Sequence, residues 1–356
     1  MGARIRRRGL RRLGSHSRCV TTQTGRTILT VTYTLLFDSS YVLRALALCR
    51  SLEATASHVR LYGLDDGSAR LFRRLELPGA TVVGPSEYMA ADVAGLRRTR
   101  SPAGFAFTLK PIVLTDAAER GPDSEWVCYL DCDGLVFDDP AAMLSGAPDG
   151  AEACFTPHHF SPPFEPFMED AGRFNAGCVA FRASTGGLSV LGQWRELCLE
   201  WCEAEVRDGL YCDQKYLQHL ADRCENVWAC DCPGANAGPW SIGQYSVTRQ
   251  DEGAVFLDDQ PLFYYHFQGM AFHSPSTLNL YTDARRLVID SDLYAGIYEG
   301  YIAALWRAAR ELVAVGWDWR PAFRRRTLHQ WVDGMARTVR GEPNNRRRLA
   351  VPLTES

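Results

Sequence analysis

The chain has 356 residues, 46% of them hydrophobic and 23% charged, with a formal net charge of -3. That is enough material for one large or two ordinary domains with a sizeable core, and so small a net charge excludes a global field aimed at nucleic acid. The 12 cysteines include no C-x-x-C pair, which excludes a disulfide scaffold in so long a chain and points to free thiols in a reducing compartment.

In chain order, residues 1–26 are rich in Arg, Gly, Ser and Thr and read as a disordered basic tail. Thr27 to Thr34 is β-branched and reads as the first strand, with Ser39 or Ser40 expected to cap a helix whose inward stripe is Val42, Ala45, Leu46, Cys49 and Leu52. Strands follow at Val59 to Leu64 and Ala80 to Val83. Strand, helix, strand, helix, strand predicts an α/β fold with a mostly parallel central sheet and helices on both faces. Ligands bind such sheets at the carboxyl ends of the strands, where Tyr33, Asp65 and Asp131 are expected. Thr108 is expected to cap a helix running to about Arg120, which would put Lys110 near a helix N-terminus, a place that attracts anions.

Trp126 to Leu130 reads as a buried strand that turns polar at Asp131 and Asp133. In extended backbone two such carboxylates leave one face, a donor set that suits a hard divalent cation. The later elements are a stretch from Cys154 to His159 that ends in a His pair, a long loop marked by Pro162, Pro163 and Pro166, a strand entered through Phe174-Asn175-Ala176-Gly177, and a helix from about Leu188 to Arg207. A further helix is capped by Asp213. Then come a loop from Gly234 to Trp240, a strand from Leu262 to Phe267, and a long helix from Leu293 to Val315. The domain reading is a catalytic body over 27–283, a helical extension over 284–340 and a flexible tail over 341–356.

No N-terminal apolar run suits a signal peptide, and no stretch approaches the ~20 apolar residues of a membrane span. The catalytic body is therefore expected to be cytoplasmic. Near the C-terminus Trp306, Trp317, Trp319, Phe323 and Trp331 alternate with Arg307, Arg310, Arg320, Arg324, Arg325 and Arg326. This pattern suits either peripheral docking on an anionic membrane face or aromatics packed on the catalytic body with the arginines in water.

Six stretches, in order, carry a resemblance: Tyr33 to Tyr41, Thr108-Leu109-Lys110, Leu130-Asp131-Cys132-Asp133, Phe174-Asn175-Ala176-Gly177, Asp213-Gln214 and Tyr265-His266-Phe267-Gln268-Gly269. Over roughly residues 27–270 the chain resembles bacterial nucleotide-diphospho-sugar transferases of the GT-A type and is similar to the glycogenin-like glycosyltransferases. The resemblance implies a Rossmann-like GT-A domain and a metal-dependent transfer of sugar from a nucleotide-diphosphate donor, UDP-linked by default, to a glycan, lipid-linked or other hydroxyl acceptor.

It implies that Asp131, Asp133 and His266 hold Mn²⁺ or Mg²⁺, and an imidazole among oxygens favours Mn²⁺. It further implies that Tyr33, Thr34, Lys110, Asp131 and Gly269 bind the donor. Asn175, Asp213 and Gln214 would line the donor sugar at the catalytic centre, with Asn236 and Trp240 on the acceptor side. Gln268 departs from the pattern, where His or Leu is frequent. A nucleotidyltransferase would need a Gly- and basic-rich phosphate loop after the first strand, and Leu35-Leu36-Phe37-Asp38-Ser39 is not one. Intact Asp131, Asp133, Asp213 and His266 argue against a non-catalytic sugar-nucleotide-binding module.

Overall fold

The computed structural model describes residues 29–318 apart from 56, 122–123, 251–252, 275–276 and 284–285, together with the backbone of 346–348. The basic tail, the first residues of the expected leading strand, and Trp319, Phe323 and Trp331 with their arginines lie outside the described residues.

The strands are β1 (Val31–Phe37), β2 (His58–Gly63), β3 (Ala80–Val83), β4 (Trp126–Leu130), β5 (Gly134–Val136), β6 (Ala153–Pro157), β7 (Phe174–Arg182), β8 (Val206–Arg207), β9 (Leu210–Tyr211), β10 (Val227–Ala229), β11 (Val247–Arg249), β12 (Val255–Leu257), β13 (Gln260–Pro261) and β14 (Tyr264–His266). Seven of them form the central sheet in the order β10-β6-β7-β4-β1-β2-β3. Only β7 runs against its neighbours, so the sheet is mostly parallel, as the alternation of strands and helices predicts. Near-continuous apolar runs such as Val31–Phe37 suit strands buried on both faces.

The helices used below are α1 (Val42–Leu52), α2 (Asp66–Phe72), α3 (Pro85–Tyr88), α4 (Ala91–Gly95), α5 (Pro102–Arg120), α6 (Pro140–Leu144), α7 (Met168–Ala171), α8 (Thr185–Glu200), α9 (Lys215–Arg223), α10 (Ser291–Leu293) and α11 (Glu299–Ala314). One apolar core joins α1, α6 and α11 to one face of the sheet, and a second joins α5, α8 and α9 to the other. Beyond the sheet, β5 pairs antiparallel with β14, which sets Gly134 opposite His266. A Cβ on Gly134 would fall 2.1 Å from the Tyr264 ring, so only glycine admits this ladder.

Several local expectations are corrected. The first strand begins later and runs to Phe37. Neither Ser39 nor Ser40 caps α1: Tyr41 holds the cap position, and the Ser40 amide is taken by Asp38 Oδ1 at 2.9 Å. The helix carrying Lys110 starts at Pro102, where Ser101 accepts from the Gly104 amide at 3.0 Å. A Ser cap followed by Pro at the first helical position is a stronger start signal than Thr108. Lys110 is therefore mid-helix rather than at an N-terminus. The following helix spans Thr185–Glu200 and ends before Trp201. Asp213 precedes the cap position of α9, which Gln214 occupies, so Asp213 is not a capping residue.

The long C-terminal helix is present as one helical run over Ser291–Ala314, with a π turn at Tyr294–Tyr298. Its inner face stacks Tyr301 on Phe267 with ring centroids 3.8 Å apart, and Glu311 pairs with Arg50 of α1 at 2.5 Å. Trp306 and Trp317 pack against the core, with Arg310 over the Trp306 ring. Among the described residues no helix is long and apolar enough to cross a membrane.

Candidate active site

The site forms where β4 ends, at the seam between β4 and the antiparallel β7. The Asp131 amide donates to the Gly177 carbonyl at 2.9 Å, and the Phe267 amide donates to the Asp133 carbonyl at 2.7 Å. The chain turns at Cys132-Asp133 instead of staying extended, so the two carboxylates do not leave one face. They join different groups.

Asp131 lies 3.1 Å from Lys110 Nζ and accepts from the Tyr129 hydroxyl at 3.1 Å. The same Lys110 lies 3.4 Å from Asp213 Oδ2 and donates to the Ala176 carbonyl at 3.3 Å. Burial works against the Lys110 charge, but Asp131 and Asp213 overcome it and raise its pKa. Burial pushes the Asp213 carboxyl up to about 6, with Lys110 pulling it down and Asp131 adding to the rise. One cation thus serves two carboxylates, and Asp213 is the one left under-compensated.

Asp133 pairs with His266 across the β5–β14 ladder at 3.0 Å. Burial opposes ionisation of Asp133, yet His266 outweighs it and holds the carboxyl well below its ordinary range. Burial lowers the His266 pKa, while Asp133 raises it further and wins.

A third group is neutral. Asn175 Oδ1 accepts from the Gly177 amide at 2.8 Å and from Asn236 Nδ2 at 3.0 Å. Asn236 Nδ2 also donates to Thr156 Oγ1 at 2.9 Å. Asn175 Nδ2 lies 3.2 Å from His158 Nε2, and His158 Nδ1 lies 3.0 Å from the Gly172 carbonyl. Burial pushes the His158 imidazole down to about 3. It is therefore neutral, with Nδ1–H donating to Gly172 and Nε2 accepting from Asn175. A Cβ on Gly177 would stand 2.6 Å from His266 Nδ1 and 2.7 Å from Asn175 Oδ1, so this glycine lets the neutral group approach the Asp133–His266 pair. Trp240 stands edge-on to His266 at 5.3 Å and to His158 at 5.7 Å.

The remaining expected site residues are placed as follows. Gln214 is bonded to backbone at both ends, accepting from the Ala176 amide at 3.3 Å and donating to the Ala171 carbonyl at 2.9 Å. Gly269 takes φ +79° in the turn after His266, where Met270 N donates to the Phe267 carbonyl. Tyr33 and Thr34 are not at a strand end. Their β1 positions pair with Cys128 and Tyr129, and they bond to Asp139 and the Cys128 carbonyl inside the sheet. Asp65 follows β2 and caps α2, accepting from the Ser68 amide at 2.7 Å.

Three buried polar atoms of this region have no hydrogen-bond partner, Asn236 Oδ1, Trp240 Nε1 and His266 Nδ1, and Asp213 Oδ2 meets only Lys110 Nζ at 3.4 Å. Buried polar atoms are rarely left so, and these are gathered at one strand end. Sequence reasoning missed Tyr129, Thr156, His158 and Tyr264, which hold the expected residues in place; Tyr264 OH donates to the Asp131 carbonyl at 2.7 Å. Of these only His158 carried a signal, as the first of a His pair. All eleven described cysteines are free thiols, and all but Cys224 are buried. Among the described residues no three His, Cys, Asp or Glu side chains converge as a metal-binding group.

No protein-family model matches the chain. It is 29% identical over 248 residues to Uncharacterized protein YfnF of Bacillus subtilis (strain 168), covering 68% of this chain and 82% of that protein. Uncharacterized protein YfnD of the same organism is 27% identical over 295 residues, covering 82% of this chain and 94% of that one. Among solved structures, the galactosyltransferase LgtC in complex with donor and acceptor sugar analogs matches with a TM-score of 0.50 at 17% identity, covering 77% of this chain and 95% of LgtC. The seven-stranded, mostly parallel sheet with helices on both faces is a GT-A fold, extended by a C-terminal helical segment.

Proposed function

We propose that the chain is a glycosyltransferase that moves a sugar from a nucleotide-diphosphate donor, UDP-linked by default, to a hydroxyl of a glycan or lipid-linked acceptor. The observation that carries this reading is the set of unpartnered buried polar atoms around Lys110, Asp131, Asp133, Asp213 and His266 at the carboxyl end of a GT-A strand. That set offers charges for a diphosphate and neutral amide and indole groups for a sugar. The galactosyltransferase likeness at the level of fold agrees with it.

Asp133 and His266 stand together as an oxygen and a nitrogen donor, a pair that fits a divalent cation and suits Mn²⁺ better than Mg²⁺. With Asp131 turned to Lys110, such a cation would be held jointly by this pair and the donor's phosphate oxygens. When bound it would offset the negative charge that grows on the leaving diphosphate. Lys110, kept charged by two carboxylates, adds a fixed positive charge on the same side. Asp213 faces the developing positive charge of the sugar, while Asn175 and Asn236 present oriented amides. Gln214 positions α9 against the Ala176 backbone. Trp240 and Asn236 form the wall proposed for the acceptor. Peripheral membrane contact would rest on residues outside the described ones, because Trp306 and Trp317 pack on the core.

The test is release of nucleotide from a panel of nucleotide sugars, with Mn²⁺, with Mg²⁺ and in excess EDTA. Turnover of at least one donor that depends on the cation is expected. Turnover that EDTA leaves untouched refutes the metal, and absence of turnover across the panel with a range of sugar acceptors refutes the transfer.

A further inference from the structure

Arg44 is the third residue of α1 and is only 7% exposed. A positive side chain in the first turn is opposed by the helix dipole, and a buried charge is costly unless paired. Both penalties apply here without an evident partner. Nη2 donates to the Met270 carbonyl at 2.8 Å, and the guanidinium lies over the Tyr41 ring at 5.0 Å and the Phe272 ring at 5.5 Å. Nε has no hydrogen-bond partner. Among the described residues Arg44 forms no ion pair. Asp133 acts on it at longer range, but that carboxylate is already taken by His266 at 3.0 Å.

The location is specific. Cys132 Sγ donates to the Leu36 carbonyl at 3.3 Å, so the end of β1 that feeds α1 lies against the Asp131–Asp133 turn. Met270 closes the turn that follows His266. The Arg44 head therefore sits between Tyr41 at the N-terminus of α1 and the Met270 carbonyl of the Gly269 turn, with the Asp133 charge acting on it at longer range. The first turn of α1 has no side-chain cap and no acidic residue. Helix amides without a side-chain cap and a guanidinium fork together suit a phosphate group.

We infer that Arg44 is a phosphate-binding residue of this site and receives a phosphate of the donor diphosphate. This rests on the nucleotide-sugar reading for the identity of the ligand, though not for its charge. Arg44 is then an uncompensated charge kept for a ligand, and its removal should relieve the protein while disabling the site.

Arg44→Met and Arg44→Lys are compared with wild type by calorimetry and thermal melting with pyrophosphate, UDP and other nucleoside diphosphates, and uridine. The wild type should bind pyrophosphate and at least one nucleoside diphosphate. In Arg44→Met both should weaken tenfold or more, uridine binding should stay as in wild type, and the unliganded melting temperature should not fall. Arg44→Lys should be intermediate. Undiminished pyrophosphate binding by folded Arg44→Met, with a lowered melting temperature, makes Arg44 structural and overturns the inference. Pyrophosphate binding through Arg44 without binding of any nucleoside diphosphate removes the donor reading and with it the donor as the source of the phosphate, and upholds only Arg44 as a phosphate-binding residue. If Arg44→Met does not fold, the Arg44 Nε–H resonance of wild type decides: it should move on addition of pyrophosphate, and a static signal overturns the inference, as does a wild type that binds no pyrophosphate.

Discussion

The two flanks of the Asn175–Gly177 stretch are built from opposite materials. On one flank two carboxylates, the half-buried Asp131 and the buried Asp213, share the buried Lys110 cation. On the other His158, Asn175, Asn236 and Thr156 form a network with no charge at all. Both lean on the same backbone, since Lys110 donates to the Ala176 carbonyl and Asn175 accepts from the Gly177 amide. The charged flank can be tuned by protons, and the neutral one is fixed by tautomer and geometry. A site so divided can respond to pH at one substrate contact while keeping another constant.

The largest expected effect comes from removing the shared cation. Lys110→Met leaves the buried Asp213 and the half-buried Asp131 without it and should cost about 3–5 kcal/mol at pH 8, measured by denaturant unfolding. At pH 5 the loss should shrink, because a protonated Asp213 needs no counter-charge. An equal loss at both pH values would mean that the flank is held by packing rather than charge.

Next in size, Asp133→Ala should lower cation-dependent turnover by about 100- to 1000-fold with the circular dichroism spectrum unchanged. Near-full turnover in that variant would detach the Asp133–His266 pair from the chemistry.

Smaller is the titration of Asp213. Its folded pKa of about 6 lies above its ordinary 3.8, so between those values the native state holds more protons than the unfolded chain. Stability should therefore fall as pH rises through that window, and Asp213→Asn should flatten this slope. Turnover should rise as pH passes about 6, where the carboxylate forms, and the Asn variant should lose that limb. A limb that survives the substitution belongs to another group.

The smallest effect is expected on the neutral flank. His158→Phe leaves Asn175 Nδ2 and the Gly172 carbonyl without their partner and should cost about 1–3 kcal/mol. The cost should be larger at pH 8 than at pH 5, because burial holds the folded imidazole down to about 3 while the unfolded chain takes up its proton below about 6.5, a penalty at pH 5 that the Phe variant escapes. A cost equal at both pH values would mean that His158 takes up its proton in the fold as readily as in the unfolded chain, and would erase the distinction between the flanks.

Much of the scaffold was legible because it rests on local signals. Buried runs such as Trp126–Leu130 are strands wherever they fall, and the Asp131, Asn175, Asp213 and His266 motifs land at one place. What escaped depends on contacts that sequence spacing does not contain. Asn236 reaches Thr156 across 80 positions, and nothing about a lone threonine announces it. The partition of Asp131 and Asp133 follows from a turn after β4, whereas an i, i+2 pattern assumes extended backbone. The start of α5 was legible, because Ser101-Pro102 is a cap signal, yet the more polar Thr108-Leu109-Lys110 stretch competes with it. Arg44 stands in a helix buried nearly all round, so its spacing among apolar neighbours says nothing about what its charge faces.

The stacking of Tyr301 on Phe267 ties the far C-terminal helix to the residue that follows His266. Phe267 is also the residue whose amide holds the Asp133 carbonyl. Occupation of the site should therefore be felt in the amide exchange of α11, which lies behind Phe267 and packs on α1. That helix would serve as an internal gauge, slowing its exchange when the Asp133–His266 strand is held still and quickening when the strand is released.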